Sequence, residues 1–428
     1  MIQRIYKMKQ LFLIGAITIV SFFAKGQSLS LDSCYALARQ QYPLIKQKGL
    51  IEKTKDYSVS NAAKGYLPQV SFNGQATTQS AVTTIPVNFH IPGIDFSIPT
   101  VSKNQFNVHG EVDQTIYDGG AIKQQKESQV ANAQIQEQNI EVQLYALKDR
   151  INQIFFGTLL IDQQLKQNDL LQKDLQNSID KMQANVNNGT ALMSSLDELQ
   201  ANLLQQQENE VSLKASRKAY LDMLGLFINR SLDENTVLVS PPSVAVTDSI
   251  YRPELSFYDL QKRSDDVQER ILNAANRPKF SYFFQGGYGL PGLNGFDVNP
   301  ALFYITGFRL SWSLGGLYTV KKQKQLLDID RQTIDVMKED FLLNTHIILR
   351  QQNADIVKLQ QLISTDKEII DKRTSIKNTA KVQVDNGALT VHDYISQLDA
   401  EDQAKQNLLI HQVQLLMDEY DYQNTSGN

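Results

Sequence analysis

The stretches that could do chemistry in this chain are few. Gly287-Tyr288-Gly289-Leu290-Pro291-Gly292 fits G-x-G-x-x-G, which cradles a dinucleotide pyrophosphate when it joins a strand to a helix N-terminus. Here Pro291 and a Gly/Asn loop follow instead, so the stretch reads as a hairpin tip. His90, His109, His346, His392 and His411 are scattered, without the spacing of a metal site. His392-Asp393 is the one adjacent pair that could hold an ion, and a hydrophilic helix end explains it more cheaply. The many carboxylates suit a solvated helix face better than acid–base work, and no nucleophile is paired with a base. The expectation is a protein that is not an enzyme and carries neither cofactor nor metal.

The composition narrows the class further. With 42 basic and 46 acidic residues and a net charge of -4, the chain lacks the basic surface of a nucleic-acid binder. A single cysteine, Cys34, excludes an intrachain disulfide framework. Leu31-Asp32-Ser33-Cys34 is a poor lipidation signal because of Asp32, so Cys34 is expected on the buried side of a helix with Leu31, Leu37 and Ala38. Residues 1–26 read as a signal peptide: Arg4, Lys7 and Lys9 precede an apolar run from Leu11 to Ala24, with cleavage before Gln27. That run is too short for a membrane anchor. No later window approaches 18 uninterrupted apolar residues. If the mature chain enters a membrane, it must do so as a closed β-barrel.

The elements that would position any function are dominated by two rods. From Tyr117 to Gly189 the chain runs without proline, and Gly315-Gly316 to Gly387 repeats the pattern. A helix of some seventy residues is roughly 100 Å long, too long to bury a face against a compact domain, so it needs equally long neighbours. Leu147, Ile151, Ile154, Ile161 and Leu165, and then Leu171, Leu175, Ile179, Met182 and Val186, form coiled-coil-like stripes, and Leu362, Ile369 and Ile376 lie seven apart. Each rod ends at Asn-Gly, a helix-terminating pair. Shorter helices then return, the first from Leu192 to about Phe227 and the second from Thr390 to about Tyr420.

Between the helices lie strands. Phe106, Val108, Val112 and Ile116 alternate with Asn107, His109, Glu111, Asp113 and Thr115, giving an apolar and a polar face at period two. Four strands are expected, at about 68–80, 104–117, 279–289 and 301–314. A helix broken or restarted at Pro43 precedes the first pair, and a helix from Pro253 precedes the second. Residues 81–102 read as a proline-bearing loop and 229–252 as a linker.

Landmarks recur. Pro43 and Pro253 are 210 apart, as are Pro68 and Pro278, while Gly119 and Gly315 are 196 apart and Gly189 and Gly387 are 198 apart. The offset changes between the paired strands, where insertions are tolerated. The expectation is an internal duplication, with repeats at 27–228 and 253–428 joined by an equatorial linker at 229–252. Four strands cannot close in lipid, since the smallest single-chain barrels have about eight. Three copies would give a twelve-stranded barrel continuous with a helical coiled-coil barrel, an α+β membrane protein. Tyr282, Tyr288, Tyr304 and Trp312 are placed to form its aromatic girdles, and Gly119, Gly120, Gly315 and Gly316 its strand-to-helix junctions.

S-L-D-x-C-x-x-L-A-x-x-x-x-P at 30–43, L-P-Q at 67–69, Y-D-G-G at 117–120 and N-G at 188–189 and 386–387 together resemble the TolC family of outer-membrane efflux channels. The resemblance covers essentially the whole mature chain. It implies a homotrimer in the lipid of the outer membrane with a helical barrel projecting into the periplasm. It further implies a periplasmic adaptor (membrane fusion protein) and an inner-membrane pump of RND, ABC or MFS type, serving efflux or type I secretion. In that family the helix turns form the periplasmic tip where the adaptor docks. This places tip residues at Asn188, Gly189, Thr190, Asn386, Gly387 and Ala388, and gate carboxylates at Asp393 and Asp197. Ser396 and Leu389 stand where other members carry a second acidic residue and a gating arginine. The alternative is an exported coiled-coil spacer or adhesin without a pore, which would have no use for alternating, aromatic-rimmed strands.

Overall fold

The structure, a computed structural model, describes residues 28–84 and 100–428. The expected signal peptide, and residues 85–99 of the proline-bearing loop, lie outside the described residues.

A two-residue strand, β1 (Ser28–Leu29), leads into α1 (Leu31–Gln41). Ser30 caps this helix by accepting from the Ser33 amide, satisfying one of the amides that a helix start leaves open. Tyr42, ahead of Pro43, takes an extended conformation, as the residue before proline favours, and α2 (Ile45–Ala63) follows. Cys34 is fully buried beside Leu31 and Ala38, and burial pushes its thiol up to about 12.

The first expected rod forms as two helices, α3 (Ala121–Tyr145) and α4 (Leu147–Asn187). Ala146 alone divides them. Its backbone stays in the right-handed helical region and its amide still reaches Val142 O at 3.2 Å, so the interruption is a local slackening. The division falls where the Tyr145 hydroxyl donates to Asn424 O at 2.9 Å. The return helix α5 spans Met193–Ile228. A second short strand, β4 (Val237–Leu238), pairs in parallel with β1; α6 spans Pro253–Ala275, with proline at the first helical position. The second rod, α7 (Leu317–Asp385), is unbroken over 69 residues. The last helix, α8 (Val391–Ser426), runs six residues beyond the Tyr420 expected from periodicity.

The four longer strands are β2 (Gln69–Thr78), β3 (Asn104–Tyr117), β5 (Lys279–Leu290) and β6 (Ala301–Ser311). They form one antiparallel sheet in the order β2-β3-β5-β6.

The chain packs as two compact units, each drawing on both halves of the sequence. One takes residues up to 46, 140–253 and 340–428; the other takes 47–139 and 254–339. The first unit is helical, with Phe155, Phe156, Leu221, Leu224 and Ile228 among its fully buried side chains. Residues 229–252, expected as a plain linker, are fastened down in it. Arg217 pairs with Asp162 and donates to the carbonyls of Glu234 and Thr236. Tyr420 donates to Pro242 O, and Tyr422 to Asp248. The second unit holds the sheet and the helix segments next to it. Among the described residues no helix is long and apolar enough to cross a membrane.

Candidate functional site

In the second unit, the register sorts the sheet residues onto two faces. Val70 pairs with Val112, Val112 with Phe284, and Phe284 with Thr306. Side chains alternate along a strand, so Phe72, Val108, Tyr282, Tyr288, Leu302, Tyr304, Phe308 and Leu310 share that face. All are exposed, Phe72 and Leu302 at 84%. Rings stack along it: Phe280 on Phe308 at 5.4 Å and Phe284 on Tyr304 at 6.4 Å. Of the expected girdle residues, Tyr282, Tyr288 and Tyr304 belong to this surface, and Trp312 follows the end of β6. Tyr282 accepts a hydrogen bond from Thr306 at 2.7 Å, and the Trp312 indole donates to Asn276 O at 3.0 Å. Tyr282 and Tyr288, six residues apart on β5, are ~20 Å apart along the strand.

The opposite face carries Ser71, Asn73, Gln75, Asn107, His109, Glu111, Asp113 and Gln285. Arg309 spans it, reaching Glu111 at 3.0 Å and Asp113 at 3.2 Å, with its guanidinium 4.7 Å from the centroid of the intervening Phe283 ring. The alternation through β3 places Glu111 and Asp113 on a polar face, but only the β3–β5–β6 register joins them to Arg309. The G-x-G-x-x-G stretch ends β5 and enters the β5–β6 connection. A Cβ on Gly287 would lie 2.5 Å from Val108 O, so close strand approach accounts for this glycine without a phosphate.

The junction glycines differ. Gly119 and Gly120 are left-handed, at φ 75° and 90°, and a Cβ on Gly119 would meet Ala274 O at 2.9 Å. Asp118 accepts from the amides of Gly120 and Ile122 and so caps α3 in the way a Ser or Asn cap would. Gly315 and Gly316 precede α7 without positive φ; a Cβ on Gly316 would collide with the Asn276 side-chain oxygen.

In the first unit, the two Asn-Gly turns are the same motif. Gly189 N reaches Val186 O at 2.9 Å and Thr190 N reaches Asn185 O at 2.9 Å; Gly387 N reaches Val384 O at 3.0 Å and Ala388 N reaches Gln383 O at 2.8 Å. This is the Schellman pattern, which needs a left-handed residue after the C-cap. Gly189 at φ 73° and Gly387 at φ 71° supply it. The turns are brought together by one apolar cluster of Leu171, Leu175, Ile179, Met182, Leu196, Leu199, Val391, Ile395 and Leu398.

Polar links, some exposed and some buried, fasten this bundle. His392 sits 2.8 Å from Glu198, Lys181 is 3.4 Å from Asp385, and Ser178 and Tyr394 approach at 3.4 Å. Glu401, 3% exposed, is held by Thr374, Lys377 and Lys405. Burial alone would raise its carboxyl, but those bonds hold it below its ordinary value. Of the two expected gate carboxylates, both are exposed. Asp393 accepts from the Thr390 hydroxyl, which in turn accepts from the Asp393 amide, so Thr390 caps α8 and the carboxylate is engaged at that cap. Asp197 lies beside Glu198, and it is Glu198 that meets His392. Adjacency to Asp197 was the only sequence signal for it.

Among the described residues no group of three or more His, Cys, Asp or Glu is placed to hold a metal ion. No protein-family model matches the chain, and no curated protein matches it. Solved structures do. The outer membrane protein VceC from Vibrio cholerae superposes with a TM-score of 0.63 at 12% identity, over 93% of this chain and 96% of that one. CusC, described in terms of transmembrane channel formation, gives 0.66 at 12% identity over 94% and 95%. The MtrE outer membrane channel of Neisseria gonorrhoeae gives 0.62 at 12% over 93% and 89%. At such low identity the likeness speaks to backbone architecture, and there it agrees with the motif order. Through more than nine-tenths of its length, this chain has the fold of the TolC-like outer-membrane channels.

Proposed function

We propose that the protein is the outer-membrane channel of a tripartite efflux or type I secretion system and acts as a homotrimer. Its four strands would contribute to a twelve-stranded barrel, and its rods to a helical barrel in the periplasm. The observation that carries this reading is the sheet. Its apolar face leaves Val70, Phe72, Leu302, Tyr304, Phe308 and Leu310 exposed. At ~1.5–3 kcal/mol for burying each such side chain, exposing that face to water forgoes on the order of 10 kcal/mol. The opposite face carries Asn107, His109, Glu111, Asp113, Gln285 and Arg309 beside Phe283, Phe303 and Ile305, and both edge strands, β2 and β6, lack an outer partner among the described residues. Lipid on one side, water on the other and a neighbouring chain at each edge meet all three conditions. Exposed Leu343, Ile347, Ile369, Ile376 and Val382 along α7 add an apolar stripe that suits helices of adjacent copies.

On this reading the chain carries two copies of an ancestral repeat, 27–228 and 253–428, joined through 229–252, behind a signal peptide at 1–26. Tyr282, Tyr288, Tyr304 and Trp312 sit at the lipid boundaries, and Gly119, Gly120, Gly315 and Gly316 mark the passage from barrel to helices. The periplasmic tip comprises Asn188, Gly189, Thr190, Asn386, Gly387 and Ala388, where a periplasmic adaptor docks and an inner-membrane pump connects. Asp197 and Asp393 face the gate. The duct is passive and needs no catalytic group. The experiment is planar-bilayer conductance of the purified protein, with its mass in detergent measured in parallel. Discrete conductance steps from a trimer are expected. A monomer that stays soluble without detergent, or a trimer with no conductance even after Gly189 or Asp393 is altered, refutes the channel.

A further inference from the structure

Within the second unit, α2, α3 and α6 enclose a cleft of about 610 Å³. Its lining follows from helical spacing. Lys123, Lys126 and Val130 rise along one face of α3, Arg263 and Val267 along one face of α6, and Val59 closes it from α2. Residues three and four apart share a helix face, so α3 and α6 each turn basic and apolar side chains inward, with one carboxylate apiece, Glu127 and Asp266, also on the lining.

The charges in this region are treated unequally. Arg270, which also lines the cleft, is neutralised by Glu127 at 2.9 Å. Arg331 is neutralised by Asp266, Glu269 and Asp328. Lys262 and Lys338 pair with Asp335 and Asp259. Lys123, Lys126 and Arg263 have no carboxylate partner among the described residues, and all three line the same cleft. Lys123 lies in the first turn of α3, whose open amides are already taken up by the Asp118 carboxylate, so the lysine side chains and not the helix start supply the free positive charge. Two lysines without counter-charge, Lys123 and Lys126, therefore sit together on the α3 side of the cleft, while Val59, Val130 and Val267 supply apolar wall.

We propose that the cleft binds an anionic amphiphile, with a phosphate-type head on Lys123 and Lys126 and an apolar portion along Val59, Val130 and Val267. A bare inorganic anion would leave the apolar wall unused, and a neutral hydrocarbon would leave three cations without counter-charge. The chemistry is met by a membrane phospholipid or by a soluble alkyl phosphate. The site does not depend on the channel reading, because its readout is binding and not conductance.

The test uses the full-length chain in a neutral detergent, titrated by native mass spectrometry. The probes are phosphatidylglycerol, phosphatidylcholine, dodecyl phosphate and inorganic phosphate. Saturable binding of phosphatidylglycerol or dodecyl phosphate is expected, with phosphatidylcholine and inorganic phosphate weaker by about tenfold or more. The Lys123→Gln/Lys126→Gln double variant is expected to lose about tenfold in affinity for the anionic amphiphile, and Lys123→Arg/Lys126→Arg to keep it. Tighter phosphatidylglycerol supports the proposal with lipid as the source, and tighter or equal dodecyl phosphate supports it with a soluble amphiphile. Equal affinity for phosphatidylcholine, or for inorganic phosphate, overturns it. So does unchanged affinity in the Gln variant, or equal loss in both variants, which would make the effect one of packing.

Discussion

Asp421→Asn should make the protein more stable at alkaline pH and leave it unchanged in acid. Asp421 lies on α8 in the helical unit, where its carboxylate accepts from the Asn152 amide at 2.8 Å. Asn152 is fully buried and accepts in turn from the Tyr35 hydroxyl. Burial, outweighing the Asn152 hydrogen bond and assisted by repulsion from Asp149 and Asp418, pushes the Asp421 carboxyl from 3.8 up to about 6. The folded chain therefore holds this proton more tightly than the unfolded chain. The stability that goes with it is complete below pH 3.8, falls through the window up to about 6, and is lost above it. A gap of about two pKa units corresponds to about 3 kcal/mol, and residual solvent screening reduces the expected effect to ~1–2 kcal/mol. An asparagine carbonyl can still accept from Asn152 and carries no charge to bury. At pH 8 the variant should unfold a few °C higher, at ~2 °C per kcal/mol for a chain this long. At pH 3.5 the two proteins should coincide. Thermal unfolding followed by helical circular dichroism at both pH values makes the comparison. If the variant is equally or less stable at pH 8, the carboxyl is not paying for its burial and the assignment fails.

Three further outcomes bear on the fold and its proposed use. Val112→Arg puts a charge on the apolar face between Val70 and Phe284 and should cost ~2–4 kcal/mol if that face meets lipid near mid-bilayer; unchanged heat resistance of the oligomer would reverse the face assignment. Gly387→Val has no steric neighbour within 4 Å, so its cost is that of holding a side chain at φ 71°, ~1–2 kcal/mol. Faster hydrogen exchange at the Gly387 and Ala388 positions is expected, with the sheet unaffected and substrate export impaired; normal export would remove these residues from the tip. Phe155→Ala, at a side chain with no exposure, should destabilise the helical unit by ~3–5 kcal/mol, measured by urea unfolding, and a loss under 1 kcal/mol would place Phe155 outside the core.

Much of this architecture was written locally. Two proline-free runs, each closed by Asn-Gly, determined where the rods lie and where they turn, because a left-handed residue after a helix needs glycine. Alternation through Phe106, Val108, Val112 and Ile116 determined a strand with unlike faces, because side-chain direction along a strand is a two-residue property. Pro43 determined the break between α1 and α2 for the same kind of reason. Periodicity could not foresee the slackening at Ala146, since alanine itself is the best helix former and the anchoring contact comes from Asn424, 279 positions on from Tyr145. Nor could local pattern show that 229–252 is tied to α8, or that Arg309 reaches Glu111 and Asp113 across β5. It likewise could not show that His392 meets Glu198, or that three unpaired cations line one cleft. Those depend on register and helix packing between residues far apart in the chain. The local rules decide which way each side chain points; only the assembled fold decides what it points at.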